Sequence, residues 1–269
     1  MFTPRLRQHG FSIPELLAVV AILLIILAML LPALGRSRDA VHQTICSSNL
    51  HQQGLALVNY VTDTMHYPGH AARSQAGHIV AVWPVRLREY ADDIDVFNCP
   101  AEPPGFHWRH DTGAPGGVYA TQDDADQWGY RVGERLLIVG GASGLPFCYG
   151  YNDWGRWNIL RSPQRGLGAD LNFGVLVPHL KKSQVRSASA MIAIGDNTSD
   201  GSWDYNMDPT QSWEYPGKIH YNGCNMVFAD AHVEWDLQKN WTNVDLNTEA
   251  GKSMSARWNN HNEPTADQN

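Results

Sequence analysis

Glu15 is the first residue in this sequence whose chemistry calls for an explanation. It stands at the head of an apolar run, and from Leu16 to Leu34 the next 19 residues carry no formal charge. An ionised carboxylate inside a membrane costs at least ~2.5–3.5 kcal/mol unless a partner neutralises it. One cation is within reach. A cut between Gly10 and Phe11 would place a new α-amino group four residues ahead of Glu15. Such a group pairs with a carboxylate, its own or a neighbouring copy's, most strongly in a low-dielectric medium. The plainer reading puts Glu15 at headgroup level, solvated.

The remaining reactive side chains lie further on. The four cysteines are Cys46, Cys99, Cys148 and Cys224. They are too few for a small disulfide scaffold but enough for two bridges, and the sequence leaves all three pairings open. No Cys-x2-Cys pair occurs, so no structural zinc site is expected. His220, Asp230 and His232 gather near the C-terminus, with Asp196 and Glu234 as possible neighbours. Our reading is that His220 and Asp230 hydrogen-bond across the ends of a hairpin and set its register. No metal is assigned to them. Calcium takes 6–8 oxygen ligands from a carboxylate-rich loop, and Asp123-Asp124-Ala125-Asp126 reads as a solvated turn. The 12 histidines are scattered, and no Gly-x-Ser-x-Gly, His-Glu-x-x-His or P-loop is present. Neither an enzyme nor a cofactor is therefore expected. The stretch from Trp203 to Tyr215 is aromatic and acidic. It reads as the packing of a long loop, with contact to carbohydrate or a secreted partner as the alternative.

The elements that must position these groups begin with one long helix. The uncharged run would span about 28 Å as a helix, close to a bilayer's ~30 Å core. Pro14 is tolerable in a first helical turn, whereas Pro32 removes an interior hydrogen bond and bends the axis. Beyond it Val41, Ile45, Leu50, Gly54, Leu57, Val58 and Val61 recur at roughly helical spacing. The pattern predicts a nearly continuous helix from about Ser12 to Thr62, its second half packed under a sheet, ended by His66-Tyr67-Pro68-Gly69. Trp83 to Tyr90 predicts a short helix begun by Pro84, Leu136 to Val139 a strand or helical turn, and Ala190 to Asp196 a buried strand. Cys224–Ala229 and His232–Leu237 form a hairpin around Asp230-Ala231, with Val233, Trp235 and Leu237 on one face. The tail from Asn259 is polar and reads as loose. Over 269 residues, 20 Lys+Arg against 27 Asp+Glu give a net charge of −7, which argues against nucleic-acid binding as the main role.

Gly10-Phe11-Ser12-Ile13-Pro14-Glu15-Leu16 followed by an apolar helix resembles the cleavage and methylation signature of prepilins, shared by type IV pilins and type II secretion pseudopilins. The resemblance implies that prepilin peptidase cuts after Gly10 and methylates Phe11, and that Glu15 guides subunit docking. A secretory signal peptide cut near Ala33-Leu34-Gly35, or a plain uncleaved anchor, are the competing readings. The signal-peptide reading suffers from the length of the run and the anchor reading from Glu15. Arg5 and Arg7 on one side and Arg36 and Arg38 on the other leave orientation open.

His220 followed by nine residues and Asp230 is similar to the His-x9-Asp-Gly motif of a planctomycete-type pilin-like family. Ile45 to Leu50, Cys99-Pro100 and Tyr149 to Asn152 also resemble blocks of that family. This resemblance favours a Cys46–Cys99 bridge, leaving Cys148 with Cys224. It departs at Ala231, where the family has glycine. A type I′ hairpin wants positive φ at both turn positions, which Ala resists by ~1–2 kcal/mol.

The resemblance implies an α+β pilin-like fold, a long N-terminal helix packed on a C-terminal antiparallel sheet with long loops. It further implies a leader at 1–10, a membrane half at 11–34, an amphipathic half at 35–65, an exported head at 66–258 and a flexible tail at 259–269. Expected partners are prepilin peptidase, other pilin-like or pseudopilin subunits and inner-membrane lipid. The expected location is the inner membrane, single-pass, with the C-terminal part in the periplasm or outside.

Overall fold

A helix of 52 residues, α1 (Ile13–Thr64), opens the computed structural model. Residues 13–74, 76–108, 117–139, 147–155, 165–168, 170–172, 175–198 and 205–265 are described. The chain divides into two compact units, Met1–Val41 and His42–Asn269. Within the first, the described part is helical throughout, continuous through Pro32, and exposed at every position. No other described helix is long and apolar enough to cross a membrane.

The second unit carries the sheets. After α1 come β1 (Ala71–Arg73), β2 (Ile79–Ala81), α2 (Trp83–Arg88), α3 (Gln122–Trp128), β3 (Tyr149–Asn152), β4 (Asp170–Asn172) and β5 (Val175–Val177). Then follow β6 (Ile192–Asp196), β7 (Asn206–Met207), β8 (Gly223–Phe228), β9 (Val233–Leu237), α4 (Gln238–Trp241) and α5 (Glu249–Trp258). A small sheet has the order β2-β1-β4-β5, and a larger one β7-β3-β6-β8-β9. The expected antiparallel sheet is mixed: β3–β6–β8–β9 pair antiparallel, while β7 joins β3 in parallel. The expected α+β organisation, a long N-terminal helix followed by a sheet-bearing C-terminal part, stands.

The larger sheet is covered on both faces, which is why β6 and β8 are buried along their whole length. On one face lie Leu50, Leu57 and Val61 of α1 with Tyr149, Tyr151, Ile194 and Val227. On the other, Trp241 and Trp258 pack against Ile192, Met226 and Phe228. Helix and sheet approach closely at Gly54. A Cβ there would fall 2.5 Å from Val227 Cγ2 and 2.8 Å from Ala231 Cα. Leu50, Gly54, Leu57 and Val61 thus match the expected stripe. Val41 and Ile45 do not, being largely exposed.

Several local expectations need correction. Leu136 to Val139 forms neither strand nor helix but touches Val80 through an isolated bridge at Ile138. Asp123 to Asp126 belongs to α3, and Asp124 is buried as the reciprocal capping partner of Thr121. Trp235 is 40% exposed because β9 is the edge of its sheet. The chain from Asn259 is not loose as far as it is described. Asn259 and Asn260 are buried, and the Asn259 amide donates to the Ser255 carbonyl.

Candidate functional site

Two places concentrate the expected site residues. The first is the N-terminus. Gly10 and Phe11 lie outside the described residues. Glu15 is described, in the first turn of α1 and exposed. Its carboxylate sits where the positive end of a helix dipole favours an anion. The apolar side chains that follow, from Leu16 to Leu34, are exposed among the described residues.

The second is a buried junction in the His42–Asn269 unit, where four segments meet. Helix α1 contributes Cys46. The loop after the short 3₁₀ turn Ile94–Phe97 contributes Cys99. Strand β6 ends on Asp196, and the turn before β8 contributes His220. Cys46 and Cys99 form a disulfide with Cα atoms 5.5 Å apart, ordinary for such a bridge. The pairing implied by the resemblance is therefore the one observed. Cys148 and Cys224 are instead buried thiols, and desolvation drives the Cys224 thiol's pKa well above its usual value. The Cys99 loop is held to α1 by side-chain amides. Asn49 Nδ2 donates to the Asn98 carbonyl at 3.0 Å, and Gln53 Nε2 to the Val96 carbonyl at 2.7 Å.

His220 does not meet Asp230. The two stand at opposite ends of β8, and six strand residues at ~3.3 Å each keep them apart. Asp230 accepts from its near neighbour His232 at 2.5 Å, in an exposed position. His220 is buried and lies 3.6 Å from Asp196 Oδ2 and 3.7 Å from Cys99 Sγ through Nε2. Its place is set by a two-residue turn in which Tyr221 and Asn222 take φ of 55° and 63°, closed by His220 N–H to the Gly223 carbonyl and the reverse. This is the type I′ geometry expected of the other turn. At Asp230-Ala231 the loop has three residues. The Ala231 N–H bonds the Phe228 carbonyl, and Ala231 alone takes positive φ, 76°. The hairpin still carries the strain anticipated for Ala, at one position rather than two.

Asp196 is fully buried. Its Oδ2 accepts from both the backbone and the side-chain amide of Asn225 at 2.7 Å, while Oδ1 has no hydrogen-bond partner among the described residues. Burial outweighs those two bonds and raises its pKa to about 7. Sequence reasoning named Asp196 as a possible neighbour of His220 but did not bring either to the disulfide. The only available signal was that Asp196 closes an otherwise apolar strand, where an acid costs heavily unless something holds it. In the Trp203–Tyr215 stretch, Trp203 and Asp204 lie outside the described residues, Tyr205, Asp208 and Glu214 are buried, and Trp213 is exposed.

Comparison with known proteins bears on the N-terminal place. The family model of the prokaryotic N-terminal methylation motif matches residues 5–31. The chain is similar to type II secretion system core protein G of Escherichia coli K12, 24% identical over 134 residues, 46% of this chain and 92% of that protein. It is likewise 27% identical over 135 residues to the core protein G of Klebsiella michiganensis, 46% of this chain and 95% of that protein. No solved structure matches the chain. The chain thus carries the methylation motif at its N-terminus and is similar, over 46% of its length, to two type II secretion core proteins G.

Proposed function

We propose that this chain is a filament subunit matured by prepilin peptidase, which cuts between Gly10 and Phe11 and methylates the new Phe11 amino group. The observation that carries this is register. A cut site, an aromatic residue, a carboxylate and an uncharged helix follow one another at fixed spacing, inside the matched methylation motif. The leader is 1–10, the membrane-spanning half of the helix 11–34 and the amphipathic half 35–65, with the exported part from residue 66 onward. The mature protein is held in the inner membrane by its helix, with the sheets on the periplasmic side.

Assembly, not turnover, is the function. Helices from neighbouring copies or related pseudopilin subunits cover the side chains from Leu16 to Leu34 that this chain leaves exposed. Glu15 pairs with the amino terminus of an adjacent subunit. That ion pair offsets the desolvation of both charges only if the two meet closely, which favours one axial register between subunits. The similarity to type II secretion core proteins supports a secretion pseudopilus over a type IV pilus.

Glu15→Ala tests this reading. Expressed with a complete secretion assembly, the variant should be inserted and cut as the parent is, yet be absent from sheared filaments. Wild-type incorporation would overturn the role given to Glu15, and a variant and parent both uncut would support an anchored binding head instead.

A further inference from the structure

We infer that Cys46, Cys99, His220 and Asp196 form a site with two alternative closures, the disulfide when oxidised and a tetrahedral zinc ion when the two sulfurs are reduced. Four types of observation converge on it.

The donors are those zinc prefers: two thiolates, an imidazole and a carboxylate. One ligand atom from each lies within 4.8 Å of all the others, and all four residues are buried. No two are close in sequence, so no spacing motif announces them.

The His220–Asp196 distance fits a shared ion better than a direct hydrogen bond, and the His220–Cys99 distance fits either. His220 Nε2 stands 3.6 Å from Asp196 Oδ2 and 3.7 Å from Cys99 Sγ. A donor–acceptor distance of 3.6 Å is too long for a useful bond. With zinc bonds of about 2.0–2.3 Å, the edges of a tetrahedron are about 3.3–3.8 Å. His220 is already at that separation from two of its three fellow ligands.

The carboxylate is prepared for a cation. Two donors from Asn225 fix its orientation, the kind of outer partner that metal ligands carry. Its Oδ1 is left without a partner among the described residues, in a fully buried position. The scaffold, finally, comes from four separate segments, so the site forms only as the unit folds and the closure is chosen at that stage.

The chemistry balances simply. A dithiol reductant delivers two electrons, the Cys46–Cys99 bond breaks, two thiols result, and the reductant becomes a disulfide. Zinc then replaces the two thiol protons, which leave to solvent. For about 2.3 Å bonds the sulfurs separate to about 3.8 Å.

The test uses the full chain in detergent, unfolded and reduced with dithiothreitol, then refolded with Zn2+ or, separately, with an oxidant and no metal. After dialysis, elemental analysis should find one zinc per reduced chain and none per oxidised chain. Refolding with Co2+ should give thiolate-to-cobalt charge-transfer absorption together with the intense visible bands of tetrahedral cobalt. Both signals should survive in the Cys148→Ser/Cys224→Ser protein, which removes the other thiols. They should be lost in Cys46→Ser, and His220→Ala should weaken zinc binding at least tenfold. If His220→Ala fails to refold, the parent and the Cys148→Ser/Cys224→Ser protein decide. Refolded, reduced parent without zinc would overturn the inference, as would metal retained by Cys46→Ser.

Discussion

The two halves of α1 obey opposite rules. Up to residue 40 every described position is exposed, although nearly all from Leu16 to Leu34 are apolar. From Cys46 to Val61 the same helix buries one stripe against the sheet and leaves Ser48, His51, Leu55 and Asn59 exposed. The first half has its interior-like surface facing outward, so whatever solvates it comes from outside the chain, as lipid or as other helices. The second half takes its partners from its own sequence. One helix thus joins a part specified by its surroundings to a part specified by tertiary packing, and substitutions should separate the two.

Loss of the disulfide should show the largest effect. With the cysteines 53 positions apart in sequence, Cys46→Ser with Cys99→Ser should cost the folded unit about 4 kcal/mol by loop entropy. Denaturant unfolding followed by Trp fluorescence reads this, while membrane association stays unchanged. Leu24→Arg should do the reverse. It adds ~2.5–3.5 kcal/mol to insertion, so the chain should shift out of the membrane fraction with its unfolding midpoint unmoved. Equal loss of both properties in either variant would show that the halves are not independent.

Gly54→Ala sharpens the contact on the packed side. Its methyl group would meet Val227 and the Ala231 backbone, and overpacking of this kind costs about 1–3 kcal/mol. Leu55→Ala, one residue along on the exposed face, should cost well under that in the same unfolding measurement.

Asp196 makes a pH prediction for the packed unit alone. Its folded pKa of about 7 lies above the unfolded carboxylate's, so the folded state holds the proton more tightly. Stability should then fall as pH rises from about 4 to about 7, with a slope of at most about 1.4 kcal/mol per pH unit, and level off above. His220, Tyr149 and Cys224 also face this carboxylate. Asp196→Asn should flatten the profile between those limits. An unchanged slope would place the titration elsewhere.

How far these regions could be read in advance follows from the range of the interactions involved. The apolar run, the helical stripe at Leu50, Gly54, Leu57 and Val61, and the hairpin of β8 and β9 are written in local periodicity. The short strands β1, β2, β4 and β5 have three residues each, too few to show any alternation. The buried junction was half visible. The cysteine pair followed from resemblance, whereas the partner of His220 depended on which of two turns adopted the type I′ form. Tyr221 and Asn222 took it, turning the imidazole toward the end of β6 and away from Asp230. Asn259 shows the same limit. A polar tail segment looks loose until one finds Ser255 and Glu263 waiting for its amide.

On the proposed reading, the helix enters its environment as a matured subunit, with a cation supplied opposite Glu15 by proteolysis. Intact mass of the protein made in the presence of prepilin peptidase tests it most directly. We predict a chain beginning at Phe11 and heavier than that sequence by one methyl group. A chain that still begins at Met1, or one cut after Gly35, would rule out maturation by prepilin peptidase.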